Sequence, residues 1–179
     1  YHITRSITAA ELQQLLYENS TSSGFDVIVD SGVTLTIGSG ESVTFTAGQS
    51  LTLESGAEII VDGTFVSYDV IENNGTIRSS HYFYNYGVLT NNGTMEINGG
   101  DFNNANSTYS SSDVAEIVNN GQITINGGTL TNNAGATIQN SSGGTFYNQG
   151  TFVNNGTFVN NGTYTGQDPS GNGSVVENP

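Results

Sequence analysis

Lysine is missing from the 179-residue sequence, and Arg5 and Arg78 are its only basic residues against 16 Asp and Glu, a formal net charge of -14. Nucleic-acid binders use clustered Lys and Arg to release phosphate counterions, and anionic lipid surfaces attract proteins through the same side chains. This balance excludes both partner classes. Cysteine is also missing, which removes disulfides, thiolate metal sites and cysteine nucleophiles. There is no Trp and Pro occurs twice. No apolar run reaches the roughly 18 residues of a membrane-spanning helix, so no membrane insertion is expected.

What remains is small and polar. Asn, Ser and Thr number 23, 20 and 22, Gly 24, and only 34% of the residues are hydrophobic. Such a composition often belongs to disordered chains, but here the residues are periodic. The first residue is Tyr1, with no charged-then-apolar leader behind it. Together with the composition, this predicts a mature secreted product, extracellular or at the cell surface.

Residues 1–7 alternate apolar and polar, with Tyr1, Ile3, Arg5 and Ile7 on one side, and read as an extended arm with no evident partner in its own chain. Thr8 followed by Glu11 has capping-box spacing, Ile7 and Leu12 stand at staple positions, and Leu12, Leu15 and Leu16 form one stripe. These signals predict an amphipathic helix ending near Asn19, with a linker reaching residue 23.

From Gly24 onward glycines recur at 24, 32, 40, 48 and 56. The third and fifth residues after each are apolar: Val27 and Val29, Leu35 and Ile37, Val43 and Phe45, Leu51 and Leu53, Ile59 and Val61. The residues between them are mostly polar, which is strand alternation. Later the motif becomes Asn-Asn-Gly-Thr-apolar, as at 73–77 and 91–95, and finally a strict six-residue repeat with Phe146, Phe152, Phe158 and Tyr164.

Short strands, a turn at each, and a like residue at each repeat describe a parallel β-solenoid, in which every strand lies over its equivalent one coil below. Asn and Gly are then expected at the corners, where left-handed backbone favours them, with Asn amides bonding from coil to coil. A chain of Asn-Gly hairpins is the competing arrangement. It would leave strands of about four residues, below the usual five or six, and would lose the ladders. The expected fold is therefore an all-β, single-domain parallel β-solenoid over residues 24–166, right-handed by preference, with the capping helix before it and a tail at 167–179. Six or seven coils at about 4.8 Å each give a rod near 30 Å long.

The capped helix followed by GFDVIVDSGVTLTIG resembles the opening of right-handed parallel β-helix proteins, in which such a helix covers the first coil. The NNGTFVNNGT repeats are similar to those of secreted microbial surface proteins, adhesin-like proteins among them. This resemblance implies an extracellular, cell-surface role; it also raises polysaccharide lyases and glycoside hydrolases, which share the fold.

Chemistry is scarce. A hydrolase needs two carboxyl groups about 5 to 9.5 Å apart across a groove, and the nearest acid pairs in sequence, Asp69 with Glu72 and Asp113 with Glu116, read as solvated turn residues. His2 and His81 stand far apart, and no phosphate loop, nucleophile elbow or EF-hand spacing occurs. No enzyme, cofactor or metal is expected. Asn19, Asn74, Asn92, Asn106, Asn140, Asn155, Asn161 and Asn172 begin Asn-x-Ser/Thr sequons, candidate glycan acceptors at corners facing solvent. Paired threonines such as Thr34 with Thr36 suggest an ice-binding plane, against which consecutive octads turn to different faces. Tyr82, Tyr84 and Tyr86 are candidate glycan-stacking residues, unless they pack inside a widened coil.

The two ends matter most for function, because an uncovered strand edge recruits another chain. The tail QDPSGNGSVVENP has little apolar mass beyond Val175 and Val176. Self-association is therefore expected, with Tyr1, Ile3 and Ile7 of one copy meeting Tyr164, Val175 and Val176 of the next, head to tail, giving a filament or matrix. A carbohydrate-binding adhesin module is the alternative.

Overall fold

The structure is a computed structural model that describes residues 1–21, 24–107 and 114–177. A two-residue strand β1 (His2–Ile3) and one helix α1 (Ala9–Glu18) precede the solenoid. The first coil holds β2 (Phe25–Val29), β3 (Thr34–Ile37) and β4 (Ser42–Phe45); the second β5 (Gln49–Leu53), β6 (Glu58–Val61) and β7 (Thr64–Ser67). The third holds β8 (Ile71–Asn73), β9 (Thr76–Ser79) and β10 (Tyr82–Asn85); the fourth β11 (Val88–Asn91), β12 (Thr94–Ile97) and β13 (Asp101–Asn104). The fifth holds β14 (Glu116–Asn119), β15 (Gln122–Ile125) and β16 (Thr129–Asn132); the sixth β17 (Thr137–Asn140), β18 (Thr145–Asn148) and β19 (Thr151–Asn154). A seventh has β20 (Thr157–Asn160) and β21 (Thr163–Gly166), and β22 (Ser174–Glu177) follows.

From β2 to β21, strands three places apart pair in parallel, which makes three faces, and β1 and β22 add to the two ends of one of them. Face A runs β1-β2-β5-β8-β11-β14-β17-β20-β22, face B runs β3 to β21, and face C runs β4 to β19. The fold is an all-β parallel β-solenoid of about seven coils, as the repeats predict, and hairpin pairing is ruled out by the parallel register throughout.

The helix forms as its sequence indicates. The Thr8 hydroxyl accepts from the Glu11 amide at 3.1 Å while the Glu11 carboxylate accepts from the Thr8 amide at 2.7 Å, and Leu12 and Leu16 are buried over the first coil. The hydrogen bond from the Thr8 backbone holds the Glu11 carboxyl below its ordinary range. A carboxylate with a lowered folded pKa contributes stability above its unfolded pKa and loses it as pH falls through the folded one. The end of the helix is thus expected to fray in acid before the coils do. Far-UV circular dichroism through a pH titration should show this, and Glu11→Gln should flatten the low-pH step.

The arm differs from expectation. It has a partner in its own chain: β1 lies beside β2 with Ile3 opposite Val29, Ile3 is 2% exposed, and the Tyr1 carbonyl accepts from the Ile28 amide. Ile3 is therefore core, held because strand β2 needs a partner on that side and an apolar cover for Val29. The tail is likewise engaged, as β22 pairs with β20 and Ser170 bridges to Val153.

Two kinds of glycine make the corners. The octad glycines, Gly32 (φ 79°) and Gly56 (φ 85°) among them, take the left-handed backbone that a side chain would strain. The glycines of Asn-Asn-Gly do not: Gly75, Gly93 and Gly121 lie outside that region, and no asparagine among the described residues enters it. They are glycines because a Cβ on Gly93 would overlap the Gly75 carbonyl oxygen, and one on Gly121 the Gly93 carbonyl oxygen. The expectation that Asn takes left-handed corner geometry is corrected here. Close approach between coils, not backbone handedness, selects the motif.

The asparagines point inward. Asn73, Asn91, Asn119, Asn140 and Asn160 end successive strands of face A, and Asn85, Asn104, Asn132 and Asn154 those of face C, all buried. Except at the last rung of each ladder, the side-chain nitrogen donates to the amide oxygen one coil on, as from Asn91 to Asn119 and from Asn119 to Asn140, both 2.8 Å. It also donates to a backbone carbonyl of the next corner, as from Asn119 to Thr145 at 3.0 Å. Within the ladders the amides are satisfied on both sides and bear burial that an unpaired polar group would not; Asn85, the first rung on face C, donates from its nitrogen while its buried oxygen accepts no bond among the described residues. The face A ladder ends where Asn160 donates to the Glu177 carboxylate at 2.8 Å.

Aliphatic and aromatic residues fill the rest of the interior. Phe65, Phe83 and Phe102 stack up face C at centroid distances of 4.6 and 4.3 Å. The six-residue aromatics behave differently. Six residues advance one face rather than one coil, so Phe146, Phe152 and Phe158 arrive from faces B, C and A and meet across the axis at 5.1 to 5.6 Å. Only Phe146 and Tyr164 are rungs of one ladder, 5.4 Å apart. Burial raises the Tyr164 phenol above its ordinary pKa.

Ser79 stands between Val61 and Ile97 in its column, and its buried hydroxyl has no hydrogen-bond partner among the described residues. Ser79→Val is expected to stabilise the protein by about 1–2 kcal/mol, by removing an unpaired hydroxyl and adding apolar burial. Urea denaturation midpoints would show the gain, and a loss would mean that the site has no room for the extra methyls.

Candidate functional site

Any functional surface has to be built on the outward columns, since the interior is filled. On face C these read Ser42, Thr64, Tyr82, Asp101, Thr129, Thr151 and Thr44, Val66, Tyr84, Asn103, Thr131, Val153. On face B they include Thr36, Ile60, Arg78, Glu96, Thr124 and Tyr147. No outward strand column places two carboxylates on neighbouring rungs, which matters because like charges directly opposite are destabilising. Threonine pairs are interrupted on each face, as Thr34 and Thr36 are followed by Glu58 and Ile60, so they make no continuous threonine plane.

The tyrosines lie outside, not in a widened coil. Phe83 takes the inner position of β10, and Tyr82 and Tyr84 flank it on the outer side. Tyr82, Tyr84 and Tyr86 follow one another at centroid distances of 6.1 Å, with ring planes inclined by 20° and 3°. Tyr68 from the coil below stacks on Tyr86 at 4.9 Å, and His81 meets Tyr82 edge-on at 4.1 Å. Asp101 and Asn103 occupy the rungs above Tyr82 and Tyr84. This gives an aromatic row bordered by a carboxylate and an amide. Sequence spacing identified three of the rings; Tyr68 joins them through coil stacking, which is a contact across 18 residues and invisible to local pattern.

The carboxylates are largely occupied with structure. Asp69 accepts from the Gly48 amide at 2.5 Å and the Val70 amide at 2.8 Å, and Glu72 accepts from the Asn74 side chain. Glu41 accepts from the Gly38 amide, Asp26 from Ser50, and Asp30 lies 2.6 Å from His2. Arg78 bridges Glu58 and Glu96 across neighbouring coils, and the hydrogen bond to Glu58 raises its already high pKa. Asp113 lies outside the described residues. Among the described residues, no group of three His, Asp or Glu could hold a metal ion.

The sequons divide by exposure. Asn92, Asn155 and Asn172 are exposed, and Asn74 is half-buried in an outer stack with Asn92. Asn19 caps the helix and donates to the Leu15 carbonyl at 2.8 Å, and Asn106 accepts from the Ala115 amide at 2.9 Å. Asn161 is half-buried. Asn140 is corrected outright: at 0% exposure it is a rung of the face A ladder and cannot face solvent as expected of a corner.

At the start of the solenoid, α1 packs on β4, the Gln13 side chain accepts from the Thr44 amide, and β1 covers β2. At the other end β21 and β22 have a strand on one side only among the described residues, and Val175 and Val176 are 46% and 41% exposed. No helix of the described residues is long and apolar enough to cross a membrane.

Comparison with curated proteins and with solved structures found no match. The haemagglutinin-repeat family matches residues 7–115 and 113–162. These two stretches take in α1 and most of the stacked coils, so the chain belongs to the haemagglutinin-repeat family.

Proposed function

We propose that this chain is an extracellular, non-enzymatic surface rod of the adhesin type, a structural subunit whose coils set outer faces in fixed register and whose copies add end to end. The observation that carries the reading is the unbroken stacking of three parallel faces. Its interior is committed to aliphatic, aromatic and asparagine ladders, and most acids are tied to turns and neighbouring coils. Family membership supports the surface role.

Self-association would use the unpaired sides of β21 and β22, where exposed Val175 and Val176 accompany free backbone groups able to take another strand. The arm contributes less than its sequence suggests, because Ile3 is already buried on β2; Tyr1, 59% exposed, is the part of it left to meet a neighbour. Electron microscopy of the purified chain tests this. Regular fibres that are lost in a Val175→Asp, Val176→Asp variant support it, and a monomer at every concentration contradicts it.

A second reading, a carbohydrate-binding module, is favoured by the outward position of Tyr82, Tyr84 and Tyr86. Aromatic faces beside Asp101 and Asn103 suit stacking on a sugar with hydrogen bonds to its hydroxyls. With a chain charge of -14, an uncharged glycan fits better than an acidic one. Binding on a glycan array that disappears in Tyr84→Ala would support it, and unchanged binding in that variant would refute it.

A further inference from the structure

Eight Asn-Gly pairs occur in the sequence, at 74–75, 92–93, 98–99, 120–121, 126–127, 155–156, 161–162 and 172–173. Asparagine is among the chemically labile residues, and a following glycine offers the least steric hindrance to ring closure. The glycine backbone nitrogen attacks Cγ of the asparagine and a new N–Cγ bond forms. The side-chain nitrogen leaves as ammonia, carrying the proton lost from the backbone nitrogen. Water then opens the five-membered imide at either carbonyl, giving Asp or its isomer with the chain running through the side chain. Closure needs a glycine N–H free of other bonds and a backbone able to turn towards the side chain.

We propose that Asn126–Gly127, followed by Asn98–Gly99, are the sites where the folded protein undergoes this modification, and that coil stacking protects most of the other corners. The protected glycines donate to the coil beneath: Gly93 to the Asn73 carbonyl at 3.0 Å, Gly121 to the Asn91 carbonyl at 2.9 Å, Gly156 to the Asn132 carbonyl at 3.1 Å and Gly173 to the Asn154 carbonyl at 2.8 Å. Gly75 donates to the Asn73 side chain at 3.1 Å. Each also lies so close to that coil's backbone that a Cβ would overlap it, which holds the corner against rotation.

Gly162 donates no backbone hydrogen bond among the described residues, but a Cβ there would overlap the Ser141 carbonyl oxygen, so its corner is still held. The two glycines that lack both the bond and the overlap share a different corner. Between faces B and C, the fourth and fifth coils carry Asn-Gly-Gly rather than Asn-Gly. The second glycine, Gly100 or Gly128, takes the close approach, and the first is less confined: a Cβ on Gly127 would meet its nearest atom at an ordinary 3.5 Å, and one on Gly99 would meet the Ser80 carbonyl oxygen tightly, at 3.1 Å, but without overlap. Neither Gly99 nor Gly127 donates a hydrogen bond among the described residues, and Asn98 and Asn126 are exposed. The order follows from their contact. Asn126 donates its side-chain nitrogen to the Asn98 side-chain oxygen at 2.7 Å, which steadies the Asn98 carbonyl, whereas the Asn126 side-chain oxygen accepts no bond among the described residues. Modification there converts a donor into a carboxylate, ends that bond and adds a negative charge.

The test is incubation of the intact folded chain at mildly alkaline pH, with peptide mass spectrometry that separates Asp from its isomer, beside an identical sample in concentrated urea. Asn126 and Asn98 should convert at least about tenfold faster than Asn74, Asn92 and Asn120 when folded, the factor expected from one held hydrogen bond. In urea that difference should vanish. Equal rates at all five positions in the folded chain, or earliest conversion at Asn74, Asn92 or Asn120, would overturn the proposal; Asn98 reacting ahead of Asn126 would overturn the order.

Discussion

Gly93→Ala is expected to destabilise the protein by at least about 3 kcal/mol, while Gly127→Ala leaves it unchanged or raises stability by about 0.4–1 kcal/mol. Both glycines follow an asparagine at a corner, and sequence gives no reason to separate them. At Gly93 an added methyl would overlap the carbonyl oxygen of Gly75, an atom of rigid backbone that itself accepts the Thr94 amide at 2.9 Å. Relief requires the coils to part and a ladder bond to lengthen. At Gly127 the nearest atom is 3.5 Å away and the backbone is not left-handed. The methyl is accommodated there, and what remains is the reduced freedom of the unfolded chain. Urea midpoints of the two variants measure both. Similar losses would mean that backbone conformation, rather than contact between coils, selects glycine in this motif.

Asn119→Ala is expected to cost about 3–5 kcal/mol, the range for breaking a buried hydrogen-bond network and leaving a cavity. Three groups lose a hydrogen bond at once: the Asn91 side-chain nitrogen, which keeps only the Gln122 carbonyl, the Asn140 side-chain oxygen and the Thr145 carbonyl. Asn119→Leu should recover little, because it fills volume but pairs none of them. Asn119→Asp keeps the shape yet, ionised, offers acceptors towards Asn140 and Thr145 where donors are needed, and buries a charge. A comparable change at exposed Asn120 should stay within about 0.5 kcal/mol. Equal effects at 119 and 120 would contradict the ladder as a source of stability.

The octads were legible because their apolar residues alternate with polar ones, so Val27, Val29, Leu35 and Ile37 announce both strand and facing. The helix was legible for a similar reason, since Thr8, Glu11 and the leucines act within one or two turns. The later coils hid their interior. In Asn-Asn-Gly-Thr the first asparagine is buried and the second is not, yet local chemistry makes them alike; only the coils above and below, which supply partners for Asn91 and Asn119, distinguish them. The aromatic repeat does not by itself say which rings meet. An interval of six suggests one ladder, but with three strands to a coil it distributes Phe146, Phe152 and Phe158 over three faces. The arm and Tyr68 were obscured by distance along the chain, because their partners, β2 and Tyr86, are brought to them by folding alone.

The claim on which everything depends is that equivalent residues stand one coil apart along a single axis. Face A supplies an outward column for measuring it: Thr52, Glu72, Thr90, Val118, Gln139 and Val159. Because the chain has no cysteine, pairs of spin labels can be introduced with Thr52 as the fixed member and Thr90, Gln139 or Val159 as the other. Pulsed electron paramagnetic resonance should then give distances that grow linearly with the number of coils crossed, by about 4.8 Å each, after the labels' own reach is fitted as a constant. Distances that fail to increase along that series, or that return to short values at Gln139 or Val159, would contradict the stacked solenoid.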